Sequence, residues 1–63
     1  MLLTFTDANN GQTFALNPKF IVGVFVGVED NVKDKTLIAL STGTVVVKES
    51  YLEVVGLIQG ELH

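Results

Sequence analysis

The side chains able to do chemistry are few in this chain, and their spacing narrows what that chemistry could be. The fixed cations are Lys19, Lys33, Lys35 and Lys48; arginine is absent. Aligned by a ring into one basic rim, these lysines could neutralise phosphates. The alternative is that they solubilise loops and blunt strand edges. Seven acids leave a net charge of −3, which argues against a sequence-blind polyphosphate binder, and arginine, the preferred reader of guanine, is missing. Two clusters of oxygen donors occur, Asp7-Asn9-Asn10 and Glu29-Asp30-Asn31-Asp34. Neither has the spacing of a calcium loop, and both read more simply as turn chemistry. Cysteine is absent and the one histidine, His63, is the last residue, so zinc and thiolate chemistry have no ligands here. Ser41 and Thr42 would be nucleophiles only beside a base, and none lies near them in the sequence. The expectation is a non-enzyme with no catalytic residue, no metal and no cofactor.

Those residues sit on a short, oily scaffold. A 63-residue chain makes one domain and buries only about 60% of the surface its unfolded form exposes. Its composition is 48% hydrophobic with a mean hydropathy of +0.46. Small domains of this kind usually need a staple, and without disulfide or metal the remaining one is oligomerisation. No apolar run approaches the ~20 residues of a membrane helix. Met1 opens straight into LLTFT, with no signal-peptide pattern, so a soluble, cytoplasmic setting is expected.

Strands are expected at about 2–6, 12–16, 19–28, 35–40 and 44–48. Asn10-Gly11 marks the first hairpin turn, and Ser41-Thr42-Gly43 another. Asn17-Pro18 interrupts the chain, because proline cannot donate to a ladder. The run FIVGVFVGV (20–28) is apolar on both faces: Phe20, Val22, Val24, Val26 and Val28 alternate with Ile21, Gly23, Phe25 and Gly27. The glycines suggest a strand that curls around a core and opens its other face to the helix or a neighbour. Phe5, Phe14, Phe20 and Phe25 could stack bases, but alternation assigns all four to the core.

From Ser50 the period changes to helical, over about 50–62. Ser50 and Glu53 form a capping-box pattern. Tyr51, Val54, Val55, Ile58 and Leu62 make one stripe, and Gly56 suggests a close contact. Leu52 and Leu57 flank the stripe on opposite sides, too wide for one small core. With Val45 and Val47 of the last strand they are the expected oligomer interface.

The pieces LNP (16–18), TG (42–43), VVKES (46–50) and EVV (53–55) resemble, in order and spacing, the flagellar FlbD family of small bacterial proteins. The five-strand pattern also resembles Sm-like small barrels, particularly phage-derived ones from marine samples. That likeness implies a five-stranded, bent antiparallel Sm-like (SH3-like) barrel, here with a C-terminal α-helix. It further implies a homo-oligomeric ring of about five to seven subunits joined through edge strands, with RNA as a candidate partner, in a host cytoplasm if the chain is phage-encoded. The Sm motif for RNA is absent: there is no Met-Asn and no Arg-Gly, and the helix follows the strands instead of preceding them. The FlbD likeness implies the alternative, a protein-interaction or assembly module. A weaker resemblance, carried by MLLT, the VVV run and Tyr51 with Ile58-Gln59, is to the carbon storage regulator family, whose key arginine this chain lacks.

Overall fold

The computed structural model describes residues 2–61. It is mainly β, with five strands and one C-terminal helix. The strands are β1 (Leu3–Thr6), β2 (Thr13–Leu16), β3 (Ile21–Val26), β4 (Thr36–Leu40) and β5 (Gly43–Val47), and α1 spans Tyr51–Glu61. β1 and β2 form one antiparallel hairpin; β3, β4 and β5 form a three-stranded antiparallel meander. The two sheets meet where β1 runs on past its hairpin. There Asp7 bridges Val47, the Lys48 amide donates to the Thr6 carbonyl at 2.9 Å, and the Ala8 amide donates to the Val46 carbonyl at 3.0 Å. The order of neighbours is therefore β2-β1-β5-β4-β3, with β2 and β3 each paired on one side only. Among the described residues no ladder joins β2 to β3, and no closed barrel is found.

Turn chemistry fixes the first hairpin as its sequence suggests. The Asp7 carboxylate accepts from the Asn9 amide at 2.7 Å, and Asn10 Oδ1 accepts from the Gln12 amide at 2.9 Å. Gly11 adopts φ 74°, the left-handed region that favours glycine. The first donor cluster is thus occupied in making a turn. Asn17 and Pro18 start a single 3-10 turn, Pro18–Phe20, with Asn17 Oδ1 accepting from the Lys19 amide.

The long strand expected over 19–28 is shorter. It begins after the 3-10 turn and carries a β-bulge: Ile21 pairs with Leu40 and Gly23 with Ala39, so Val22 is the extra residue. A bulge shifts the two-residue period by one. Ile21 therefore shares the inner face with Val24 and Val26, not the outer face with Phe25 as strict alternation implies. Gly27 lies beyond the strand and is buried. A Cβ there would collide with the Val32 backbone carbonyl. Its glycine serves the tight return of the 28–35 loop and is not an opening for a neighbour.

The core lies between the hairpin, the inner face of the meander and the helix. Leu3, Phe5, Ile38, Val47 and Val54 are its buried members, with Phe14, Leu16, Ile21, Val24, Leu40, Val45 and Ile58 packed around them. Phe5 and Phe14 face each other across the hairpin with ring centroids 6.3 Å apart. The helix runs beside β3 and supplies Val54 and Ile58. Its stripe is narrower than the spacing suggests, since Tyr51 stands at the exposed margin. Leu62 lies outside the described residues. The space around Gly56 is open, so within the described residues of one chain it makes no close contact.

Candidate functional site

Val47 ends β5 in the middle of the core and is fully enclosed. This corrects its assignment to an oligomer interface: the strand's inner face is covered by the chain's own helix and hairpin. Val45, on the same face, is half-buried and packs against that core. Leu52 and Leu57 remain on the helix surface, 80% and 40% exposed.

Within one chain the four lysines do not share a single cleft. Lys35 and Lys48 line a common cleft of about 580 Å³ with Ala8, Thr36 and Ser50, and Asp34 and Glu49 line it too. Lys19 belongs to the 3-10 turn and Lys33 to the 28–35 loop, and neither lines this cleft. Two cations beside two carboxylates give a mixed field, unlike the one-sided charge of a phosphate groove. Asp34, with φ 64°, holds a left-handed position in the loop, where Asp is tolerated. Among the described residues no cluster of three or more His, Cys, Asp or Glu could hold a metal ion.

Glu49 is the residue the sequence reading left without a role. Its carboxylate reaches back to β1 and accepts from the Thr6 amide and from the Thr6 hydroxyl, each at 2.9 Å. Thr6 points its amide away from β2, and β5 has ended at Val47, so a side chain completes what a strand would otherwise do. Partial burial raises the Glu49 pKa. The hydrogen bonds from the Thr6 amide, its own amide and the Thr6 hydroxyl outweigh that and hold it below the ordinary value. The signal in sequence was weak: a Glu beside a helix N-cap reads as a solvated charge. One step on, Ser50 Oγ accepts from the Glu53 amide at 3.2 Å, which supplies the forward half of the expected capping box. The return bond from the Glu53 carboxylate is not made among the described residues.

The most distinctive surface is apolar. Phe20, Val22, Phe25, Val26 and Val28 are 59%, 75%, 53%, 48% and 86% exposed, all within one segment. Only Phe5 and Phe14 of the four phenylalanines enter the core; the bulge and the 3-10 turn carry Phe25 and Phe20 outward. Phe25 continues across the outer face into its register partner Leu37 and from there into Leu37's partner Val46. With Val26, Gly27, Val28, Val32 and Leu37, Phe25 lines a cleft of about 490 Å³, which Glu29 and Asn31 line too. No helix among the described residues is long and apolar enough to cross a membrane.

No family model, no curated protein and no solved structure matches this chain.

Proposed function

We propose that this protein is a non-enzymatic assembly module that works as a homo-oligomer in the cytoplasm. One observation carries the reading. The apolar side chains of the β3 segment stand open on both faces of a strand that is paired on one side only. Exposed apolar side chains next to a strand edge that no second strand pairs mark an interaction site. A second copy of the chain is the partner that is always available at matching concentration. Size-exclusion chromatography with light scattering tests it: the account expects a mass above that of one 6.8 kDa chain at micromolar concentration.

A nucleic-acid role is the second reading, favoured by the meeting of Lys35 and Lys48 in one cleft. In a closed ring of the Sm-like kind, copies of that pair would be repeated around one face and their field would add. Titration of single-stranded RNA at rising salt separates the readings, since phosphate contacts weaken steeply with salt. Binding at low salt that fades on salt addition supports an RNA-binding assembly; no binding at low salt leaves protein assembly alone.

A further inference from the structure

Resting on the homo-oligomer reading, we infer that the free edge of β3 pairs antiparallel with the free edge of β3 in a second copy, about a two-fold axis that places Phe25 opposite Phe25. The backbone sets this register. The Gly27 amide donates to the Lys35 carbonyl at 2.8 Å, so Gly27 faces β4. Backbone groups alternate in direction along a strand. Phe25 and Gly23 therefore also face β4, and the amides and carbonyls of Val24 and Val26 point to the open edge.

The same logic applies to the other free edge. The Asp7 amide donates to the Gln12 carbonyl at 2.8 Å, so in β2 it is Thr13 and Ala15 whose backbone groups point outward from the pair. Residues opposite each other in an antiparallel ladder put their side chains on one face. Val24 is an inner-face residue, packed against the core, and Val26, two residues on, shares that face. Thr13 and Ala15 lie on the face of the hairpin away from the core, alternating with Phe14 and Leu16. An antiparallel β3–β2 joint between copies would run the core face of one into the solvent face of the next. A β3–β3 joint instead sets Val24 against Val26 of the second copy and Val26 against Val24, inner face to inner face. Each pair exchanges both of its N–H···O bonds.

Two further features agree. Val26 faces inward yet is 48% exposed, which is what a strand missing beside it produces. Phe25 falls on the axis as a non-hydrogen-bonded pair, the position where cross-strand side chains come closest and aromatic pairs stabilise a sheet. Neither β3 nor the residues that flank it, Phe20, Gly27 and Val28, carry charge, so no like charges oppose each other across the paired strands themselves. The area is of the right order. Phe20 and Phe25 offer about 200 Å² of exposed ring at ~150–250 Å² per aromatic side chain, and Val22, Val26 and Val28 add roughly as much. One side of a standard interface is about 800 Å², somewhat over half of it apolar.

Because residue 25 would meet its own copy, the test is specific. Phe25→Lys and Phe25→Glu, each on the exposed outer face, should each reduce the mass to that of a monomer while circular dichroism stays native-like. Mixing the two variants should restore the dimer mass. In the otherwise cysteine-free chain, Phe25→Cys should form a disulfide-linked dimer under mild oxidation, and Thr13→Cys on the β2 edge should not. An oligomeric wild type whose mass is unchanged by both charge variants overturns this interface but leaves the homo-oligomer reading standing. So does cross-linking through residue 13 in place of residue 25. A wild type that is monomeric at micromolar concentration overturns both.

Discussion

Glu49 decides how the two sheets hold together. It ties β1 to the β5–α1 junction through the Thr6 amide and hydroxyl. Because its folded pKa lies below the unfolded value of about 4.5, it stabilises the fold fully above that value. The contribution is lost as pH falls through the depressed folded pKa. Glu49→Gln should therefore lower stability at neutral pH by about 1 kcal/mol, the net worth of a charge-assisted bond at a partly exposed site. It should also flatten the acid limb of a plot of stability against pH; an acid limb identical to wild type would show that another carboxylate controls it. Gly27 makes the opposite kind of demand, for space. Gly27→Ala forces the Val32 carbonyl to move, and a loss of about 2 kcal/mol or more is expected in chemical denaturation. At this scale the sequence was readable where chemistry is local. Asp7, Asn10, Gly11 and Asn17 do what their turn preferences say, within two to four residues of themselves. Glu49 acts on a residue 43 positions away, and no local pattern carries that.

Among the elements, the hairpin and the helix follow from periodicity, and β3 does not. Alternation puts Ile21 on one face with Phe25 and Phe20 on the other with Val24; one bulged residue, Val22, instead sets Ile21 beside Val24 on the inner face and leaves Phe25 outside. A bulge leaves no mark in an apolar run, since every residue of FIVGVFVGV suits either face. Barrel closure is not legible in the sequence for a related reason. Strand count was legible, but closure depends on whether β2 and β3 share a ladder, and the 3-10 turn at Pro18–Phe20 carries the chain round without one. The helix offers a clean check. Gly56 sits mid-helix with open space around its Cα, so Gly56→Ala should raise stability by up to ~1 kcal/mol. A loss of stability in thermal melts would mean that something approaches Gly56 in the assembled protein. Ser50→Ala removes the acceptor for the Glu53 amide and should cost about 1 kcal/mol.

For the molecule as a whole, supply and demand of interior do not match. The core encloses Leu3, Phe5, Ile38, Val47 and Val54, while Leu2, Phe20, Val22, Phe25, Val26, Val28, Tyr51, Leu52 and Leu57 stay open to solvent. Composition alone pointed to this excess; what composition could not give was its address. Val45 and Val47 turned out to be core, and the exposed set gathers on β3 and the outer side of the helix. Leu57→Glu discriminates between those two surfaces: an unchanged oligomer mass assigns the helix flank to solvent, and a reduced mass extends the interface onto α1. The most direct test of the central claim is the molar mass of the wild-type protein in solution, measured by light scattering across a dilution series. The account predicts a multiple of 6.8 kDa at micromolar concentration that falls toward one chain only on strong dilution. A single-chain mass at every concentration, with a cooperative unfolding transition, would contradict it.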